Sequence, residues 1–500
     1  MKFTTPLLLV TACTFLLLLP STSARAEPRA DQPALSRILS QVSGSRMVAD
    51  IQRLSGPEFN GRQTGTEDDL RSGLFVAERL KSLGLQLPQF VTPALGAQGW
   101  TMAAPVPVPR LLAPPHLTLF VGMEPKPARF GPDYMPILDS PSVNVTAPVV
   151  FVGYGIVDPA RGLDEYEGLD VRNRVVLMLR GKPDWYPAQV GIQEKQRVAR
   201  EKGAVAFLLA NGPVANAYEA RRGISPAPMG SYIHADGERP LPGAWIATPL
   251  AEALFAGQPR SLREIHEELN RRPVSHSAPL QAIARLSWEG AEEPGTLYNV
   301  LASLPGADPA VRDETIVLGA HRDHFGRQAG LLFPGADDNA SGTAVLLEVA
   351  RLMTEAGTKP RRTILFVSFS GEEQGLLGSR LYVRRPVRPL AKTAAMINVD
   401  HAGIGNGRLT VGVTGLAKDR ATEIGRLAGL AEKLDVHGFF PGGDHVPFKE
   451  AGVPTLTVVS GGSHAHFHQP TDTAETIVPE IVETVARYVL AATLELANAP

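Results

Sequence analysis

Apolar and polar positions alternate in a pattern that changes along the chain. Residues 36–54 and 67–83 carry apolar side chains three and four positions apart, which predicts helices, the second ending before Gly84. From residue 275 onward, short apolar runs alternate with longer amphipathic stretches, which is typical of an α/β fold with a mostly parallel sheet sandwiched by helices. Strands are predicted at residues 315–319, 363–369, 394–399, 409–413 and 455–459, and helices at residues 343–356, 418–434 and 475–497.

Residues 146–260 have a different character. Strand-like apolar runs lie at residues 147–156, 174–179 and 204–210, and one helical stretch lies at residues 195–202. Pro-rich turns follow, before a further helical stretch at residues 261–270. We therefore predict a separate, β-rich unit at residues 146–260.

Residues 1–26 have the pattern of a signal peptide. Lys2 gives a basic start, residues 7–19 are almost wholly apolar, and Ala24-Arg25-Ala26 matches a small-x-small cleavage site. The apolar run is short for a membrane anchor, and it continues beyond Cys13, which argues against lipoprotein anchoring there. We expect an exported protein, periplasmic or secreted, with no stable membrane insertion after cleavage.

Composition narrows the classes of function. The chain has 500 residues, more than one hydrophobic core supports, so two or three domains are expected. Its formal net charge of -2 gives no reason to expect nucleic-acid binding. Cys13 is the only cysteine, so the mature chain would have no thiol for a nucleophile, a disulfide or a Cys-ligated zinc site.

Histidine and acidic residues follow the predicted strands of the C-terminal half. Because ligands of such sheets gather at the carboxyl ends of the strands, these side chains are expected to converge on one edge. Zinc binds imidazole and carboxylate groups, and a pair of zinc ions needs a shared carboxylate. The residues concerned are His321, Asp323, Asp338, Glu372, Glu373, Asp400 and His468.

Each of these residues also has a plainer interpretation. Asp338 could only cap its helix, and the Glu372-Glu373 pair could be a solvated helix start. Two adjacent carboxylates after a buried strand are costly, however, unless a cation or a proton compensates them. One can bind a metal ion while the other acts on water, so the convergence favours a metal site.

Five motifs, in this order, resemble the zinc-dependent exopeptidase family of aminopeptidase Y and glutamate carboxypeptidase. They are GAHRDH at residues 319–324, GADDNASG at 335–342, GEEQGLLGS at 371–379, INVD at 397–400 and HQPTDT at 468–473. Residues 62–66, RQTGT, are similar to the N-terminal segment of that family. The resemblance implies a catalytic domain whose N-terminal part is residues 27–145 and whose main part is residues 275–500.

The unit between those parts resembles a protease-associated domain, on the residues VGYG at 152–155 and Gly203-Ala204. A domain inserted at this place is expected to overhang the site and to limit the size of the substrate.

The family resemblance also implies roles for single residues. His321 and Asp400 would bind one of two zinc ions, and Glu373 and His468 the other. Asp338 would bridge the two ions, and its bond to Asn339 would be cis. Glu372 would be the general base, and Asp323 would orient His321. Asp337 and His324 are not predicted as ligands.

The motif around His468 departs from the family in one respect. Phe467 stands where some members have a Tyr whose hydroxyl helps to stabilise the oxyanion. His464 and His466 precede His468 at alternate positions, so either could bind substrate or metal, although a role as loop residues is favoured.

The predicted activity is hydrolysis of peptides by an exported two-zinc metallopeptidase, an aminopeptidase in the favoured interpretation. Between residues 437 and 468 Lys449 is the only cationic residue other than His, and Phe439, Phe440 and Phe448 lie nearby, which favours an apolar first side chain over a terminal carboxylate. The alternatives are a carboxypeptidase or dipeptidase, a single-zinc acyltransferase similar to glutaminyl cyclase, and a non-catalytic receptor-like relative. The sequence leaves the oligomeric state open.

Overall fold

A computed structural model describes residues 32–88, 100–122, 124–215, 225–233 and 240–500. The predicted signal peptide, residues 1–26, lies outside this part of the chain. Among the described helices, none is long and apolar enough to span a bilayer.

The α-helices, numbered over the described residues, are α1 (Gln32–Leu39), α2 (Gly44–Leu54), α3 (Glu67–Ser82), α4 (Ile192–Glu201), α5 (Thr248–Ala253), α6 (Leu262–Arg271), α7 (Gly342–Glu355), α8 (Leu377–Arg384), α9 (Lys418–Leu427), α10 (His445–Glu450) and α11 (Pro479–Asn498).

The strands are β1 (Thr101–Leu111), β2 (His116–Val121), β3 (Glu124–Pro127), β4 (Tyr134–Pro136), β5 (Val143–Phe151), β6 (Val157–Asp158), β7 (Leu163–Asp164), β8 (Val175–Leu179), β9 (Ala206–Ala210), β10 (Gly243–Ile246), β11 (Ala278–Trp288), β12 (Gly290–Leu304), β13 (Thr315–His321), β14 (Gly326–Gln328), β15 (Leu331–Phe333), β16 (Thr363–Phe369), β17 (Thr393–Val399), β18 (Leu409–Thr414), β19 (Leu434–His437) and β20 (Thr455–Ser460).

One eight-stranded sheet forms the centre of the larger domain, in the order β1-β12-β16-β13-β17-β20-β18-β19. Its central neighbours β16, β13, β17 and β20 pair in parallel, as do β18 and β19. Residues of β13 alternate between two cores: Ile316 and Leu318 pack with the helices α2, α7 and α11, and Val317 packs on the opposite face. The predicted α/β fold with helices on both faces of the sheet is confirmed.

A second eight-stranded sheet has the order β3-β2-β11-β5-β8-β9-β10-β4. It is wider than the predicted unit at residues 146–260, because β2, β3 and β11 extend it at one side. Its apolar core also includes Phe325 and Phe333 of the larger domain. The two domains therefore share packed side chains close to the sequence that carries His321 and Asp323.

Two predicted helices are shorter than the periodicity suggested. The stretch 36–54 is broken into α1 and α2, because Ser43 caps α2 by accepting a hydrogen bond from the Arg46 backbone N–H. The stretch 418–434 ends as α9 at Leu427, since Gly429 has a φ of 73° that reverses the chain.

Candidate metal centre

The strand ends place the candidate ligands at one edge of the larger sheet. His321 is the last residue of β13, Asp400 directly follows β17, and Glu372 and Glu373 follow β16. Because β13 pairs in parallel with both β16 and β17, these side chains leave the sheet at the same end. The chain then brings Asp338 and His468 to them from the loops before α7 and after β20.

His321 lies between two carboxylates. Its Nε2 is 3.4 Å from Asp338 Oδ1 and 3.3 Å from Asp400 Oδ1. On the other side of the ring, Nδ1 is 3.3 Å from the backbone carbonyl oxygen of Asp323. A carbonyl can only accept, so Nδ1 carries the hydrogen, and in the neutral ring Nε2 directs its lone pair at Asp338 and Asp400.

His468 has the same arrangement on the other side of Asp338. Its Nε2 is 3.1 Å from Asp338 Oδ2 and 3.3 Å from Glu373 Oε2. Its Nδ1 donates to the backbone carbonyl of Gly230, 3.0 Å away, so that Nε2 again carries the lone pair. Asp338 Oδ2 is buried and accepts no hydrogen bond from the described residues.

Carboxylates and imidazole lone pairs buried this close together are costly unless cations or protons compensate them. Two ligand atoms about 2.0–2.2 Å from one tetrahedral zinc ion lie about 3.3–3.6 Å apart, close to the spacings of both groups. Burial raises the pKa of Glu373 well above its ordinary range, and repulsion from Asp338 and Glu372 raises it further. The residues therefore fit two cations that share Asp338.

Other side chains hold Asp338 in position. Asp472 accepts the backbone N–H of Asp337 at 2.9 Å and that of Asp338 at 3.0 Å. Asn339 donates to the carbonyl of Val399, at the end of β17, and its Oδ1 accepts the N–H of Gly342. The Asp338–Asn339 bond is cis, as the family resemblance implied. The role of Asp472 was not predicted, although it stands within the HQPTDT motif.

The RQTGT segment supports the centre from the N-terminal part of the chain. Arg62 is fully buried and donates to the carbonyl oxygens of Pro334 and Gly335, which lead into the Asp338 loop. Thr64 donates its hydroxyl to Asp323 Oδ2 at 2.8 Å. Residues 259 to 273 positions apart in the sequence thus meet beneath the proposed ligands.

Asp323 has a different set of contacts from the one expected. Its carboxylate Oδ1 is 3.7 Å from His321 Nδ1, beyond hydrogen-bond distance, and its backbone carbonyl takes that place. The carboxylate instead accepts the backbone N–H groups of Glu372 and Glu373, at 3.2 and 3.3 Å. Asp323 therefore positions both glutamates through its carboxylate and orients the His321 ring through its backbone carbonyl.

Further histidines lie beside the centre, and two of them are closer to a carboxylate than two ligands of one tetrahedral zinc ion would be. His324 Nδ1 is 2.6 Å from Glu373 Oε1, and His464 Nδ1 is 2.6 Å from Asp337 Oδ2. His401 Nδ1 is 3.3 Å from the same Asp337 oxygen. Asp337 Oδ1 accepts the N–H groups of Gly403 and Ile404.

His466 lies apart from this group, since its Nδ1 bonds the Thr471 hydroxyl on the exposed side of the loop. No motif marks His401 as part of this group, because only the fold brings its ring to Asp337.

The centre opens into a cavity of about 550 Å³. Its wall carries the polar groups Asp338, Glu372, Glu373 and Asp400 together with an apolar part. None of the described residues that line it is Lys or Arg. Phe448 is not in this wall, because it is fully buried against Phe369 and Tyr382. The apolar part comprises Phe439, Phe440, Pro441, Val459 and Phe467.

The smaller domain reaches the same cavity. Gln189 contributes to its wall, and Gly230 is hydrogen-bonded to His468 through both backbone groups, as N–H donor to the His468 carbonyl at 2.9 Å and as acceptor from Nδ1.

Comparison with known proteins identifies both domains. Residues 299–493 match the model of "Peptidase family M28", and residues 145–254 match that of the "PA domain". Residues 299–493 form an M28 peptidase region. This region carries the whole proposed ligand set, and the PA domain carries Gln189 and Gly230.

Curated relatives cover the chain unevenly. A "Probable glutamate carboxypeptidase VP8" of Zea mays is 28% identical over 90% of this chain and 66% of its own length. "Leupeptin-inactivating enzyme 1" of Streptomyces exfoliatus is 32% identical over 34% of this chain and 37% of its own length. "Aminopeptidase YwaD" of Bacillus subtilis is 32% identical over 32% of this chain and 38% of its own length. The chain thus spans about one third to two thirds of these relatives.

Solved structures resemble the chain over almost all of its length. An aminopeptidase from Aneurinibacillus sp. strain AM-1 has a TM-score of 0.64 at 23% identity, covering 93% of this chain and 97% of its own. A peptidase M28 precursor from Shewanella amazonensis has a TM-score of 0.68 at 20% identity, covering 94% and 97%. At these identities the likeness establishes the fold of both domains.

Proposed function

We propose that this chain is an exported two-zinc aminopeptidase. The observation that carries the proposal is the position of Asp338, with one carboxylate oxygen facing Nε2 of His321 and the other facing Nε2 of His468. His321, Asp338 and Asp400 would hold one zinc ion, and His468, Asp338 and Glu373 the other. Zinc at such a centre supplies a Lewis acid for the scissile carbonyl and lowers the pKa of a bound water towards about 7.

Glu372 is the proposed general base. It lines the cavity beside Asp338 and Asp400, whereas Glu373 is the member of the pair that contacts His324 and His468. The Glu372 carboxylate would take a proton from the water that attacks the carbonyl carbon. It would return that proton to the amine nitrogen as the C–N bond breaks. Asp323 would hold it in place through the Glu372 backbone N–H.

The cavity wall supports an aminopeptidase over a carboxypeptidase. A terminal carboxylate is usually bound by Arg or Lys, and neither lines the described cavity. An α-ammonium group would instead find carboxylates, and an apolar first side chain would find Phe439 and Phe440. Two of the curated relatives are named as probable glutamate carboxypeptidases, so that activity is the second candidate.

The test is a substrate screen on the zinc-loaded protein. Leucyl and alanyl chromogenic substrates, the same substrates with a blocked amine, and peptides with a C-terminal glutamate are compared, with Glu372→Gln as the inactive control. We expect turnover only where the α-amine is free. Release of the C-terminal glutamate from amine-blocked peptides would establish the carboxypeptidase instead.

Export is a separate part of the proposal and has its own test. The motif Ala24-Arg25-Ala26 predicts that the mature chain begins at Glu27. N-terminal sequencing of the protein from its native cell checks this, and an intact Met1 on cytoplasmic protein would contradict it.

A further inference from the structure

We propose that the PA domain is part of the metal centre, because Gly230 positions the zinc ligand His468. The inference rests on the proposed role of His468. Two hydrogen bonds join these residues, from the Gly230 N–H to the His468 carbonyl at 2.9 Å and from His468 Nδ1 to the Gly230 carbonyl at 3.0 Å. The second bond fixes the tautomer in which the Nε2 lone pair faces Asp338 and Glu373.

Gly230 belongs to a segment, residues 229–233, that is anchored in the PA core. Met229 and Ile233 are buried there. The carbonyl of Ser231 accepts the Leu138 N–H, and Asp139 accepts the N–H of Ile233 at 2.7 Å. Because this segment is held by the PA sheet, the PA domain sets the position of the carbonyl that His468 meets.

Two phenyl rings leave little space for a side chain at position 230. A Cβ there would lie 3.0 Å from Phe325 Cδ2 and 3.2 Å from Phe333 Cε1, closer than ordinary van der Waals contact. Phe325 in turn packs edge-on against His468, with ring centroids 4.8 Å apart. A methyl group at this point must shift one of the rings or the segment by a few tenths of an ångström, and a shift of Phe325 or of the segment moves a group that contacts His468.

The two proposed histidine ligands are therefore oriented by different domains. His321 is oriented by the carbonyl of Asp323, within the M28 domain, whereas His468 is oriented by the carbonyl of Gly230, across the domain boundary. Loss of such a supporting contact typically weakens metal binding by about 10–100-fold. Displacement of the PA segment should therefore weaken the zinc held by His468 and Glu373 more than the zinc held by His321 and Asp400.

The first test compares Gly230→Ala with Gly191→Ala in zinc titrations against a competing chelator. Gly191 is the matched control, since a Cβ there meets nothing closer than Gln193 Oε1 at 3.7 Å. We expect Gly230→Ala to bind one zinc about 10–100-fold more weakly while Gly191→Ala binds both as wild type. Adding Phe325→Leu to Gly230→Ala makes room for the methyl group and should restore part of the lost affinity.

Wild-type affinity for both zinc ions in Gly230→Ala would overturn the inference. A wild-type chain that binds no zinc would instead overturn the proposed function, so the two failures are distinguishable.

A second measurement uses the wild-type protein alone. Zinc that fixes His468 should also stabilise the hydrogen bond from the Gly230 N–H to the His468 carbonyl. Hydrogen exchange in a peptide covering residues 229–233 should therefore slow when zinc is added to the apo-protein. Unchanged exchange in that peptide, with zinc bound, would contradict the coupling.

Discussion

The carboxylate of Asp323 accepts the backbone N–H of Glu372, at 3.2 Å from Oδ1. Its other oxygen accepts the N–H of Glu373 at 3.3 Å and the Thr64 hydroxyl at 2.8 Å. One buried carboxylate thus places both members of the glutamate pair, the proposed base and the proposed ligand. The family resemblance had implied only that Asp323 orients His321.

Asp323→Asn tests this arrangement. The amide nitrogen cannot accept a hydrogen bond, so at least one of the three donors loses its partner inside the protein. We expect kcat to fall and zinc affinity to weaken, each about 10–100-fold, as for other groups that orient metal ligands. Thr64→Val removes a single donor and should have the smaller effect. Unchanged kcat and zinc affinity in Asp323→Asn would contradict the assignment.

Metal content distinguishes the bridging carboxylate from its neighbour. Asp338 faces both of the proposed histidine ligands, whereas Asp337 is hydrogen-bonded to His464 and to backbone N–H groups. Asp338→Asn should weaken the binding of both zinc ions, whereas Asp337→Asn should still bind both. Mass spectrometry under native conditions counts the ions. Loss of zinc from Asp337→Asn alone would make Asp337 the ligand.

A pH-dependent contribution to stability is expected at His266 of α6, whose ring contacts Tyr154 of the PA domain. Burial, together with the smaller effect of the Arg263 charge, lowers the pKa of His266 to about 4. Nε2 is bonded to the Tyr154 hydroxyl, while Nδ1 is buried without a partner among the described residues, so protonation there is unfavourable. Below pH 6.5 the unfolded chain binds the proton and the folded one does not.

Stability should therefore fall as the pH drops from 6.5 to 4, by up to about 3 kcal/mol for this group, and be unaffected by it above 6.5. His266→Gln removes the titration. Thermal unfolding of both proteins across this range should show the difference in Tm shrinking or reversing towards pH 4. Parallel profiles would mean that His266 takes up its proton in the folded state.

Phe440 should select for apolar first side chains. Its ring lies in the cavity wall and packs over Gly412, where a Cβ would lie 2.4 Å from Cε1. Phe440→Ala should lower kcat/KM for leucyl substrates about tenfold relative to alanyl ones. Phe448→Ala is the contrast, since this buried ring should cost about 3–5 kcal/mol of stability without changing the ratio. An unchanged ratio in Phe440→Ala would remove that ring from the specificity pocket.

Local signals and motif order were enough to predict the α/β fold and to select the residues that meet at the sheet edge. The strand at residues 363–369 is predicted to the residue from its nearly unbroken apolar run, and all seven residues are buried in the structure. Ser43 and Gly429 can also be recognised in the sequence, as a helix cap and a helix stop. The longer helices were predicted from periodicity alone, which does not take these two signals into account.

Contacts between distant segments could not be predicted in this way. Gly230 and His468 are 238 positions apart, and Arg62 and Gly335 are 273 apart. In both pairs the acceptor is a backbone carbonyl. Every residue type has this group, so the sequence does not mark it. The hydrogen bonds of His401 and His464 to Asp337 depend on the same long-range packing.

The most direct test of the central claim compares Glu372→Gln with Glu373→Gln in zinc stoichiometry and kcat. Gln keeps the size of the side chain but cannot take the proton of water, and a positioned general base is worth about 10²–10⁴ in rate. Glu372→Gln should bind two zinc ions and lose most of its kcat, and Glu373→Gln should bind one of the ions weakly. Full activity in Glu372→Gln, or loss of zinc from it while Glu373→Gln keeps both ions, would contradict the account.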